Sequence, residues 1–204
     1  MIVLSHRGFW IDPIEKNGLA AFERTLKGGF GAETDVRDYA GELVISHDPA
    51  NGEAMAWADL LAMFEGSGLP LAVNVKADGL SEMLADSLVD RNIDAFMFDM
   101  SGPEIVRYAR SGLRFFTRHS DIEPTPIMYE SACGVWLDSF DSEWFDDAVI
   151  LRHLDCGKKV CVVSSELHGR DSRNLWDMLD KHRHEEGLMI CTDLPLQAAE
   201  RFAL

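Results

Sequence analysis

The feature that most constrains this chain is a succession of eight short apolar runs rich in Val, Ile and Phe. Each is closed by a polar or charged residue and followed by a helical pattern. They occupy residues 2–6, 30–36, 71–76, 95–99, 114–118, 135–138, 159–164 and 188–193. Near-continuous apolar strands of this kind belong to parallel sheets buried on both faces. Strand followed by helix, repeated about eight times, predicts an α/β architecture closed as a TIM-type (β/α)8 barrel rather than an open sheet.

The connections carry helix signals. Leu19, Phe22 and Leu26 recur at helical spacing and Gly28-Gly29 supplies a stop; Met83, Leu84 and Leu88 repeat the pattern after the third strand. Pro103 suits the first turn of a helix holding Ile105, Val106 and Tyr108, and Pro195 opens the last one. Ser142 is expected to cap a helix through Trp144, Phe145, Val149 and Leu151, and Asp171 or Ser172 one through Leu175, Trp176 and Leu179. Two places break the alternation. Residues 43–48 form a further strand close behind the second, with a hairpin turn at 38–41. Residues 117–131 contain Pro124 and Pro126, so the fifth connection is expected to be irregular.

A length of 204 residues fits one domain, 1–204, at the short end for such a barrel. Lys plus Arg is 19 against 35 Asp plus Glu, a net charge of -16, which argues against a nucleic-acid duplex or an anionic membrane surface as partner. No segment approaches the roughly 20 apolar residues of a membrane span, and residues 1–6 lack the basic and long apolar parts of a signal peptide, so a cytoplasmic protein is expected. Cys133, Cys156, Cys161 and Cys191 form no CxxC and read as buried small hydrophobes.

In a barrel of this kind chemistry sits at the C-terminal strand ends. The residues found there are His6-Arg7, Glu33 and Asp35, His47-Asp48, Asn74 and Lys76, Asp99, Arg118-His119, Asp138, Ser165-Glu166 and Asp193. Core packing does not ask for so many ionisable groups, and their concentration at one rim marks a site.

Ser5-His6-Arg7-Gly8, Asn17 with Ala20-Ala21-Phe22, Glu33-Thr34-Asp35-Val36 and Leu43-Val44-Ile45-Ser46-His47-Asp48 closely resemble the HR, ExD and HD signature of the glycerophosphodiester phosphodiesterase family. Lys76 and Thr192-Asp193-x-Pro195 resemble further family features. The resemblance implies a barrel related to phosphoinositide phospholipase catalytic domains and a metal-dependent phosphodiesterase acting on a small-molecule, glycerophosphodiester-like substrate. The chemistry of the residues agrees. His6 and His47 suit an acid/base pair because imidazole titrates near neutrality. Glu33 and Asp35, two apart on a strand, face one side and offer hard oxygens to Mg²⁺ or Ca²⁺. Arg7 and Lys76 add positive charge against phosphoryl oxygens.

Three departures stand out. Where the family commonly has a glutamate as a further metal ligand, two residues before the lysine, this chain has Asn74, which ligates without charge. The usual Pro-Glu-Asn-Thr is Glu15-Lys16-Asn17-Gly18, and the insertion that often follows the HD motif is nearly absent. Trp136 near the barrel mouth, and Glu166, His168 and Arg170 in the loop after the seventh strand, are candidate substrate contacts. Alternative readings are a lyase that releases cyclic phosphate from the same site and a non-catalytic barrel binding a phosphorylated sugar.

Overall fold

The computed structural model describes residues Met1–Leu204. Ten strands form: β1 (Ile2–His6), β2 (Gly31–Tyr39), β3 (Glu42–Ile45), β4 (Met55–Ala56), β5 (Pro70–Val75), β6 (Asp94–Phe98), β7 (Phe116–His119), β8 (Gly134–Leu137), β9 (Lys159–Val163) and β10 (Leu188–Thr192). Seven helices accompany them: α1 (Leu19–Lys27), α2 (Trp57–Phe64), α3 (Ser81–Leu88), α4 (Gly102–Ser111), α5 (Asp147–Asp155), α6 (Arg173–Lys181) and α7 (Pro195–Phe202). No helix is long and apolar enough to cross a membrane.

Eight parallel strands run in the order β1-β2-β5-β6 on one side and β1-β10-β9-β8-β7 on the other. The circle closes between β6 and β7 through one parallel bridge, Met97 to Phe115, where the Met97 N–H donates to Arg114 O at 2.9 Å. The expected barrel is therefore the observed one. β2 is long because its second half pairs antiparallel with β3, from Val36↔Ile45 to Tyr39↔Glu42, around a turn in which Ala40 and Gly41 both have positive φ. This hairpin carries His47 back toward the barrel mouth, and only the short β4 separates it from α2.

Side-chain parity sorts the barrel. Even-numbered positions of β1, β5, β6, β7 and β8 and odd-numbered positions of β9 and β10 point inward. They stack Leu4, Ala72, Phe96, Phe98, Phe116, Trp136, Cys161, Val163, Met189 and Cys191 into one buried cluster. Within it Phe96 lies on Phe116 and Phe98 on Trp136, each pair with ring centroids 3.8 Å apart. The opposite faces pack against the helices, with Phe22, Leu60, Leu61 and Tyr108 on one side and Ile150, Trp176, Leu179 and Phe202 on the other.

Two expectations need correction. Ser142 does not cap α5: the Asp121 carboxylate accepts from the N–H groups of Phe140, Asp141 and Ser142, holding them in a loop, and Asp146 caps the helix by accepting from Val149 N–H at 3.3 Å. The cysteines are not all buried either. Cys161 and Cys191 are, whereas Cys133 is half-buried and Cys156 exposed at the end of α5.

The fifth connection, residues 120–133, holds no helix, as the two prolines require. It is pinned by polar bonds instead: the Thr117 hydroxyl donates to Ile127 O at 2.7 Å, and Tyr129, His153 and His119 form a chain with both links 2.9 Å. One set of protons satisfies that chain, with Tyr129 O–H donating to His153 Nδ1 and His153 Nε2–H donating to His119 Nδ1. His153 is 6 % exposed. Burial, then the charges of His119 and Arg152, lower its pKa from an ordinary 6.5 to about 4.

Two predictions follow from these packing facts. A Cβ at Gly134 would lie 2.4 Å from the Phe116 ring and 2.7 Å from Lys159 O. Gly134→Ala is therefore expected to lose about 1–3 kcal/mol in urea unfolding, because backbone cannot step aside; an unchanged midpoint would contradict this packing. Because His153 stays neutral when folded but charges when unfolded, stability should fall as pH drops from about 6.5 toward 4. The loss by pH 5 is at most about 2 kcal/mol. His153→Gln should flatten that part of the pH–stability curve, and identical slopes would refute the assignment.

Candidate active site

The inward parity that builds the apolar interior continues upward into the mouth, where it presents His6, Glu33, Asp35, Asn74, Lys76, Arg118, Asp138 and Asp193. Strand register sets their neighbours: His6 pairs with Glu33 across β1 and β2, and Asp35 with Asn74 across β2 and β5. A cavity of about 250 Å³ opens among His6, Arg7, Glu33, His47, Asn74 and Lys76, with Trp136 as part of its lining. Each charged or imidazole residue proposed from the sequence for catalysis or phosphate binding thus meets at one cavity. Arg7 and Asp99 on its lining, and Asn17 bound to Asp35, all hold positive φ, an arrangement that costs free energy for non-glycine residues and concentrates at functional sites.

The carboxylates are the centre of the electrostatics. Glu33 and Asp35 are buried. Glu33 Oε2 accepts from the Arg7 backbone N–H at 3.1 Å and lies 3.9 Å from His6 Nε2. Burial, and then the neighbouring Asp35 charge, push the Glu33 carboxyl well above its ordinary range against the pull of Arg7 and Lys76. Asp35 draws Arg7 Nε to 3.1 Å and Lys76 Nζ to 3.2 Å, and accepts from Asn17 Nδ2 at 2.8 Å. Neither ion pair is aligned as a hydrogen bond, so Asp35 Oδ1 stays buried without a hydrogen-bonding partner. Asn74 Oδ1 is in the same condition, its amide nitrogen donating to Asp99 Oδ2 at 3.1 Å.

His6 is held from behind. Its Nδ1 lies 2.8 Å from Asp193 Oδ1, and Trp10 Nε1 donates to the same oxygen at 3.3 Å. Burial would raise the Asp193 pKa, but the hydrogen bond and charge of His6, with the Lys16 charge, carry it below its ordinary value. An ionised Asp193 fixes the proton of neutral His6 on Nδ1, which leaves Nε2 as the basic nitrogen. His47 is more exposed, its side chain 43 % accessible, with Nδ1 2.9 Å from Asp48 Oδ1.

The remaining candidates are placed as follows. Trp136 is buried and stacked on Phe98. His168 lines the cavity, its Nε2 2.7 Å from Asp138 Oδ1. Glu166 turns under Asp193: its oxygens accept from the Ser164 and Thr192 hydroxyls and from the Asp193 N–H at 3.2 Å. Arg170 is spent on the carbonyls of Phe140 and Ser139. Both Glu166 oxygens and the two terminal nitrogens of Arg170 are thus engaged within the protein.

The sequence put Arg118, Asp138 and Asp193 at the rim and Asn17 and Asp193 in the resemblance, but assigned none of the four an individual role. Arg118 bridges Asp99, Glu123 (3.1 Å) and Asp138 (2.7 Å) at the cavity. Burial opposes its charge, yet Asp99 and Asp138 outweigh this and raise its pKa. The available signal was position at strand ends, which Arg118, Asp138 and Asp193 share with His6.

No family model matches the sequence, and no curated protein matches it either. Solved structures do match over essentially the whole chain. A glycerophosphodiester phosphodiesterase from Agrobacterium tumefaciens superimposes with a TM-score of 0.74 at 17% identity, covering 100% of both chains. One from Thermotoga maritima gives 0.70 at 15% identity, covering 98% of each. An Oleispira antarctica phosphodiesterase in complex with the product sn-glycerol-3-phosphate gives 0.71 at 14% identity, covering 100% of this chain and 97% of the other. The chain has the (β/α)8 fold of the glycerophosphodiester phosphodiesterases.

Proposed function

We propose that this protein is a metal-dependent phosphodiesterase that hydrolyses a glycerophosphodiester-like substrate with His6 and His47 as its acid/base pair. The observation that carries the reading is the convergence of His6, His47, Arg7, Lys76, Glu33 and Asn74 on one cavity. A phosphorylated-sugar binder has no use for two proton-transfer groups flanking paired carboxylates.

The donor set fits a hard divalent cation such as Mg²⁺ or Ca²⁺. No three His, Cys, Asp or Glu side chains come close enough to hold an ion among themselves. Glu33 and Asp35 therefore need the Asn74 amide oxygen as third ligand, and at this site Asp35 Oδ1 and Asn74 Oδ1 are buried oxygens that accept no hydrogen bond. When bound, the ion supplies Lewis-acid polarisation of the phosphoryl group. The other roles belong to the chain. Arg7 and Lys76 neutralise the non-bridging oxygens. His6, its Nε2 freed by Asp193, takes or returns a proton at the reacting oxygen, and His47 serves the oxygen on the other side of phosphorus.

His6→Ala and His47→Ala are each expected to lower kcat/KM for bis(p-nitrophenyl) phosphate about 10²–10⁴-fold with Mg²⁺ or Ca²⁺ present. Full activity in the double variant would sink the assignment. Phosphorus NMR of the products tests hydrolysis against release of a cyclic phosphate, which should not accumulate. Asn74→Ala should weaken Mg²⁺ or Ca²⁺ binding measured by calorimetry about tenfold or more, since it removes one of three ligands. Equal affinity would remove Asn74 from the ligand set.

A further inference from the structure

A second cavity, of about 590 Å³, opens beside the first and shares Asn74, Lys76, Asp99 and Arg118 with it. Its outer wall is the fifth connection, where Glu123, Pro124, Thr125 and Ile127 stand in place of a helix. Building on the phosphodiesterase reading, we infer that this cavity holds the larger alcohol of the diester and that the alcohol is a neutral, hydroxyl-rich group such as a sugar.

Size comes first. The space of about 590 Å³ exceeds what glycerol or choline needs and takes a group of sugar size or larger. Charge comes second. Lys76 and Arg118 face Asp99 and Glu123, so two positive groups are balanced by two negative ones. A cationic headgroup would meet Lys76 and Arg118, and a second anion would meet Asp99 and Glu123. An acyl chain would strip water from all four without replacing their hydrogen bonds, a costly exchange. Hydroxyl groups donate and accept at once. Asp99 and Glu123 are held on either side of Arg118, its Nε 3.1 Å from Glu123 Oε2, and their carboxylates keep lone pairs that hydroxyl groups of a ligand can use. Ser101 and Thr125 add hydroxyls to the same wall, and Ile105 and Ile127 offer apolar surface to the C–H face of a ring. In the reaction a water oxygen bonds to phosphorus and yields a proton to one of His6 and His47, the P–O bond to the sugar breaks, and the sugar oxygen leaves with a proton from the other.

The test uses two diesters of glycerol 3-phosphate, one with glucose and one with methanol as second alcohol, on the wild-type enzyme and on Thr125→Trp. Thr125 is exposed on its loop, so the indole narrows the cavity without entering the core. The wild type should favour the glucose diester about tenfold or more in kcat/KM, and Thr125→Trp should erase that ratio mainly through KM. Glu123→Gln should reduce it, since the amide restores only part of the accepting power. No preference in the wild type, or a preference that survives Thr125→Trp, overturns the proposal. Absence of turnover of either diester counts against the phosphodiesterase reading instead. Calorimetry with the glucose diester then decides on the cavity: binding weakened by Thr125→Trp supports it, and equal or absent binding overturns it.

Discussion

Two carboxylates buried side by side in the mouth of a barrel are the constraint around which this molecule is arranged. A pair of buried negative charges survives only if cations or hydrogen-bond donors meet them. Here Arg7 and Lys76 close on Asp35, the Arg7 backbone N–H serves Glu33, and Asn17 reaches across from the first loop. The positive φ of Arg7 and Asn17 is part of that cost. The compensation is incomplete, since Glu33 is still pushed toward its protonated form. An incompletely neutralised acid pair favours further positive charge, which is the physical ground for the metal proposed there.

Much of this was legible in the sequence because a strand has a period of two. Once 30–36 is read as a barrel strand, Glu33 and Asp35 must share the inward face, and so must His6 on β1. The whole-chain match in fold to glycerophosphodiester phosphodiesterases agrees with the eight-run pattern. What the sequence hid depends on closure in three dimensions. Arg118, Asp138 and Asp193 could be placed at the site rim by their strand ends, but not given partners; only when the barrel closes do β7, β8 and β10 bring them to His6, His168 and Asp99. Loop direction was equally hidden. Glu166 faces inward because Ser164, Thr192 and the Asp193 N–H offer it three donors, a set drawn from two strands. The false cap at Ser142 has the same origin, for its competitor Asp121 lies 21 residues earlier.

The prolines of the fifth connection show how a local rule becomes a site property. Pro124 and Pro126 prevent a helix, and the segment is secured instead by Thr117 and by the Tyr129–His153–His119 chain. What would have been the outer face of a helix becomes the rim of a cavity larger than the one that His6 and His47 line.

The single bridge between β6 and β7 gives the barrel a mechanical polarity. Every other neighbouring pair in the circle is joined by a continuous ladder, so the resistance of the wall to parting is lowest along one line. Local opening begins where the fewest cooperative bonds must break together. That line lies between the strands that lead to Asp99 and Arg118 on the larger cavity, so the first parting of the wall is expected there, away from the ladders that join His6, Glu33 and Asp35.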